Sequence, residues 1–76
     1  MAKHLQNKID LLKDKYLLFA QPIYKYVFQL LGNAQESEDV VQESFIEALE
    51  KLDQLIDDSK FYPWIKTIAR NKALNI

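Results

Sequence analysis

One glycine and two prolines are all that punctuate 76 residues. That scarcity constrains the fold more than any other feature. Sheet proteins turn often, and their turns draw on Gly, Pro and Asn at short, regular intervals. This chain can turn sharply at few places, so the turns that an all-β fold needs are missing. The apolar spacing agrees. Leu5, Ile9, Leu12, Tyr16 and Phe19 recur every three to four residues, which predicts a first helix from about Leu5 to Ala20. Pro22 lacks an N–H and disfavours helix in the residue before it, so Gln21-Pro22 is expected to kink or restart the chain. A second stripe follows in Ile23, Tyr26, Val27, Leu30 and Leu31. Gly32-Asn33 should end it, because glycine tolerates the left-handed cap conformation.

Asn33 is also placed to cap the next helix, with Glu36 three residues on as the partner of a capping box. The acids Glu36, Glu38 and Asp39 suit the positive end of a helix dipole. The inner stripe reads Val41, Phe45, Ala48, Leu49 and Leu52. The outer face reads Asp39, Gln42, Glu43, Glu47 and Glu50. Asp53 to Ser59 reads as a loop, although Leu55 and Ile56 are apolar. Ser59 is a candidate cap for a last helix, with Pro63 tolerated in its first turn. Phe61, Trp64 or Ile65, Ile68 and the stem of Lys72 would face inward, with Lys66, Arg70 and Asn71 off that stripe. The fold class is therefore all-α, a compact bundle of three to four helices in one domain spanning residues 1–76.

Hydrophobic residues at 49% and charged residues at 28% favour a folded chain over a disordered one. There is no cysteine, so no disulfide or thiolate chemistry is available, which fits a reducing cytosol. The N-terminal stretch MAKHLQNKIDLLKDK scatters its charges, unlike a signal peptide. No uncharged apolar run approaches the roughly 18 residues of a membrane span, so no membrane partner is expected.

The net charge of −1 conceals an uneven distribution. Residues 1–35 hold five Lys against two Asp, residues 36–58 nine acids against one Lys, and residues 59–76 three Lys and one Arg with no acid. Two faces with different partners would explain that sorting, and so would ordinary solvated helix surfaces. Asp39, Gln42 and Glu43 sit at i, i+3 and i+4, clustered for docking, with Gln42 and its acids able to accept hydrogen bonds from a partner's arginines. The tail combines Lys60, Lys66, Arg70 and Lys72 with Tyr62, Trp64, Asn71 and Asn75. Cations meet phosphates, aromatics stack on unpaired bases, and Asn bonds base edges. Phe61, Trp64 and Ile68 are spaced like core residues instead. No phosphate-binding glycine loop is present, and the single histidine, His4, lies near the terminus. The helical acids lack the inward Glu-x-x-His of a carboxylate metal site. No enzyme, cofactor or metal is expected.

Two stretches together resemble a known family. SEDVVQESFIEALEKLDQL resembles region 2.2 of bacterial sigma factors, and SKFYPWIKTIARNKALN resembles their regions 2.3 and 2.4. The pattern D-V-V-Q-E-x-F followed by F-x-x-W-[LI]-x-x-I-A-x-N is most similar to the extracytoplasmic-function (ECF) group of the sigma-70 family, and the resemblance runs from about Phe19 to Asn75. It implies a region 2 helical bundle that docks on the β′ clamp helices of core RNA polymerase and melts the promoter −10 element. Docking would fall to Asp39, Gln42, Glu43 and Leu49. Reading of the non-template strand would fall to the Leu55–Lys60 loop, with Leu55, Ile56 and Lys60, and to Tyr62, Lys66, Arg70, Asn71 and Asn75. The acids Asp57 and Asp58 sit awkwardly in a loop that must meet phosphate. Lys66 and Thr67 stand where some relatives carry Tyr and Arg. The resemblance also implies a cytoplasmic protein, associated with the nucleoid when bound to polymerase, and an anti-sigma factor as a further partner. Members of the group continue into a linker and a helix-turn-helix region 4, so a region 2 piece without them is expected. A sigma-shaped interaction module that binds polymerase or an anti-sigma factor without reading DNA is the alternative.

Overall fold

The computed structural model describes residues 2–55 and 57–76, with the side chains of residues 2–5 outside that description. Three helices make the bundle: α1 over Ala2–Leu31, α2 over Ala34–Glu50 and α3 over Phe61–Leu74. Short 3₁₀ turns at Leu52–Gln54 and Asp58–Lys60 join α2 to α3. No described helix is long and apolar enough to cross a membrane.

Where the proline predicts a break, α1 continues through Pro22 as a single 30-residue helix. Proline removes the bond to the carbonyl four residues back, here that of Leu18. Leu18 and Pro22 are both exposed, so that carbonyl lies on the solvent side, where losing its donor costs least. Ile23, the next residue, and Val27, one turn beyond it, are fully buried and hold the C-terminal half in line. Packing therefore overrides a local penalty.

The α1–α2 connection matches its sequence signal. Gly32 has φ 66° and donates its N–H to the Phe28 carbonyl at 2.7 Å. Asn33 then caps α2, its Oδ1 accepting the Glu36 N–H at 2.8 Å. Its carbonyl accepts both the N–H and the hydroxyl of Ser37, at 3.0 and 2.6 Å. Two residues thus reverse the chain and set α1 against α2 as an αα-hairpin.

Between α2 and α3 the expected plain loop is instead two 3₁₀ turns. Leu52 from the first is buried, so the segment is tied to the core rather than looped out. Ser59 does not cap α3. It lies inside the second turn, and Asp57 caps that turn by accepting the Ser59 N–H at 2.9 Å. That bond holds the Asp57 carboxyl below the ordinary carboxylate range. Pro63 is the third residue of α3, where a missing N–H costs nothing.

The core gathers at the centre of the three helices. Phe61 is fully buried, with its ring 6.0 Å from Phe19 of α1, 6.2 Å from Phe45 of α2 and 5.7 Å from Trp64 of its own helix. Ile65, Ile68, Ala69 and Ala73 continue the α3 stripe, and Trp64 stays half-buried at its edge. Helix α2 buries more than one stripe, because it packs on both neighbours: Val40 and Ser44 join Val41, Phe45 and Ala48. The Ser44 hydroxyl donates to the Val40 carbonyl at 2.6 Å, so a polar group sits inside without penalty.

Candidate functional site

The docking residues lie along the exposed side of α2. Asp39, Gln42 and Glu43 are all exposed, and Gln35 donates to Asp39 at 3.2 Å. Gln42 and Leu49 are two turns apart on the edge nearest α1, and each lines a groove there. The first groove, of about 350 Å³, is bounded by Tyr16, Tyr24, Glu38, Val41 and Gln42 among others. The second, of about 210 Å³, is lined by Ile9, Leu12, Lys13, Tyr16, Phe45 and Leu49 and is apolar. Tyr16 borders both, its ring 5.0 Å from Phe45 and edge-on to it. Asp39 and Glu43 lie farther around the helix, on the far side of Ile46.

Ile46 is a residue the stripe pattern leaves out. Its side chain is 62% exposed in the middle of the acidic face. The signal was present, since Ile46 is four residues after Gln42 and four before Glu50, both assigned outward. Tyr16 and Tyr24, which wall the first groove, were less legible. Tyr16 read as core on periodicity and Tyr24 fell outside both stripes, and only the packing of α1 against α2 brings them to one groove.

Glu47 departs from the outer face assigned to it. It is half-buried, and its carboxylate meets Lys72 of α3 at 2.9 Å and Lys51 at 3.2 Å. The Lys72 bond holds its carboxyl below the ordinary range, with burial opposing and Lys51 adding to the fall. Lys72 is thereby engaged with α2, its stem half-buried as the spacing suggested.

The DNA candidates fall into three groups. Leu55 is half-buried against the core, and Ile56 lies outside the described residues. Lys60 is exposed at the N-cap of α3. Tyr62 and Lys66 are half-buried against α1: the Tyr62 ring is 5.1 Å from Phe19, and the Lys66 ammonium is 4.6 Å from the Tyr26 ring centre. Arg70, Asn71 and Asn75 are exposed, with Asn75 at the C-cap. Lys66 and Arg70 are one turn apart, as are Asn71 and Asn75, and helical geometry sets the two rows about 100° apart around α3. The helix therefore presents a cationic row and an amide row rather than one cluster.

Residues 16–76 match the family model described as sigma-70 region 2. The chain is 36% identical over 67 residues to the ECF RNA polymerase sigma factor SigW of Bacillus subtilis, an alignment covering 88% of this chain and 32% of that protein. It is 42% identical over 70 residues to the RNA polymerase sigma-H factor of Pseudomonas aeruginosa, covering 92% of this chain and 35% of that one. A shorter match of 37 residues is 54% identical to the ECF RNA polymerase sigma-E factor of Escherichia coli, covering 49% of this chain and 19% of the relative. The chain spans about one third of the length of the first two relatives. No solved structure matches it. Both α2, with its D-V-V-Q-E run, and α3 lie inside the matched span, and the chain belongs to the sigma-70 family as its region 2.

Proposed function

We propose that this chain serves as the region 2 domain of an ECF-type RNA polymerase sigma factor in the cytoplasm. It docks on the β′ clamp helices of core polymerase and opens the promoter −10 element. One observation carries the reading. The family match runs through both an acidic, exposed α2 face and an acid-free basic α3, held on one body. Asp39, Gln42, Glu43 and Leu49 supply the docking contacts. Lys60, Tyr62, Lys66, Arg70, Asn71 and Asn75 supply the DNA contacts, together with Leu55 and Ile56 of the connecting segment. An anti-sigma factor that covers the α2 face would compete with polymerase.

The division of labour is physically sound. Acids on α2 repel phosphate and attract the arginines of a protein partner. Extruding a base costs a few kcal/mol, which stacking and base-edge hydrogen bonds offset. A nearly neutral domain can do this because polymerase supplies most of the DNA affinity. No covalent bond is made or broken by these residues.

The test is binding of the folded chain to core polymerase and to a β′ clamp-helix fragment. Gln42→Ala is expected to weaken binding about tenfold, or about 1.4 kcal/mol. A folded wild-type chain that binds neither would refute the docking role. Within the polymerase complex, the −10 non-template strand should crosslink more strongly than a scrambled strand, and equal crosslinking would remove the DNA role.

A further inference from the structure

The outer sides of α2 and α3 are opposite in charge but alike in layout. On α2, Glu43, Ile46 and Glu50 follow one another at one-turn intervals and are all exposed, with the 62%-exposed Ile46 between two carboxylates. On α3, Pro63, Thr67, Arg70 and Leu74 fall at i, i+4, i+7 and i+11, one continuous exposed stripe. Leu74 is 61% exposed and stands one turn beyond Arg70, the chain's single arginine. The Thr67 hydroxyl donates back to the Pro63 carbonyl at 3.0 Å, which leaves Arg70 as the main polar demand of the stripe. Among the described residues, no ion pair engages Glu43, Glu50 or Arg70. The sorted charges nearly cancel, to −1, so copies of the chain are not held apart by net repulsion.

We propose that the α3 stripe is a docking surface for a second copy of this chain, seated head to tail on the acidic α2 face of that copy. Leu74 of one copy packs against Ile46 of the next. Arg70, one turn from Leu74, then falls beside Glu43 or Glu50, each one turn from Ile46, where its planar guanidinium can bond a carboxylate at two points. Charge selects this arrangement over symmetric ones. Two α2 faces together would oppose carboxylate to carboxylate, and two α3 stripes would leave Arg70 without an anion, because α3 carries no acid. A contact between two different faces builds a short chain of copies unless its rotation closes. One helix lying on another is a small interface, so the affinity is weak, with a Kd on the order of 0.1 mM. The pairing stands on exposure and charge alone and does not depend on the promoter-opening role, although it would cover the α2 face of one copy and the α3 stripe of the other.

Sedimentation equilibrium of the chain tests the pairing. The weight-average mass should rise above that of one chain as the concentration reaches the submillimolar range. Raising the ionic strength from about 0.01 to about 0.15 M shortens the screening length from roughly 30 to roughly 8 Å and should weaken association about three- to tenfold. Ile46→Glu and Leu74→Glu should each abolish association while helical circular dichroism stays unchanged. An equimolar mixture of the two variants should regain a one-to-one pair, because one supplies an intact α3 stripe and the other an intact α2 face. Leu18→Glu adds the same charge at an exposed position of α1 and should leave association unchanged. A single-chain mass at every concentration would overturn the proposal. Association that persists in either variant, or a mixture that stays monomeric, would overturn it equally.

Discussion

Phe61 is the residue on which the three helices agree. Its ring is fully buried and meets an aromatic from each of them, so deleting it opens a cavity at a point common to all three. Phe61→Ala is expected to cost about 3–5 kcal/mol, most of the stability of a domain this small. Circular dichroism should show loss of the cooperative thermal transition, with Phe61→Leu partly retaining it. The Glu47–Lys72 bridge contributes less but leaves a clearer pH signature. Lys72 holds the Glu47 carboxyl below its ordinary value, so the stabilisation is complete above the unfolded-state pKa. It is lost as pH falls through the lower folded value. Lys72→Met should cost roughly 0.5–1 kcal/mol at neutral pH and nearly nothing in acid below that value. Urea unfolding at the two pH values measures the difference, and an equal loss at both would show that the bridge is not the cause.

At the scale of elements, the two ends of the α1 question respond in opposite directions. Gly32 has φ 66°, and a Cβ there would meet nothing within 4 Å. Gly32→Ala should therefore cost about 1 kcal/mol, all of it from the backbone. Pro22 lies inside a continuous helix on an exposed face, so Pro22→Ala restores a hydrogen bond without disturbing the core. It should stabilise the fold by up to about 3 kcal/mol. The urea midpoint should fall for the first and rise for the second. A fall for Pro22→Ala would mean that the proline shapes α1 in a way the packing depends on. Asn33, by contrast, acts as its sequence position suggests, opening α2 with a side chain that accepts the Glu36 N–H.

Across the whole molecule, a 30-residue α1 stretches the bundle to 40 × 21 × 20 Å, with a radius of gyration of 12.4 Å against about 11 Å for a rounder chain of this length. That elongation separates two long surfaces. The α2 face is acidic around an exposed Ile46, while α3 and the C-terminal half of α1 carry cations and no acids. Ile46→Glu should leave thermal stability within about 0.5 kcal/mol, because the side chain is already exposed. It should weaken binding to the polymerase clamp helices at least about tenfold, since a new charge would sit at the centre of the interface. Unchanged clamp binding would place the interface elsewhere on the bundle.

Local periodicity and punctuation by themselves determined the helical class, the turn at Gly32-Asn33, the cap of α2 and an inward stripe through Phe61 and Ile68, leaving Trp64 or Ile65 between them for the packing to choose. Each of these depends on residues within a few positions of one another, which is where helix propensity and capping act. The family motifs were legible for the same reason, being contiguous runs on α2 and α3. Tertiary structure alone decided the rest. It carried α1 through Pro22, because burial of Ile23 and Val27 outweighs one lost hydrogen bond. It turned Glu47 from the outer face toward Lys72, since α3 arrives beside α2 from 25 residues away in the chain. It also set Lys66 over Tyr26 and Tyr62 against Phe19. A helical period states which face of a helix is apolar, but it does not say which neighbour that face will meet, and the charges at its edges take their roles from that neighbour.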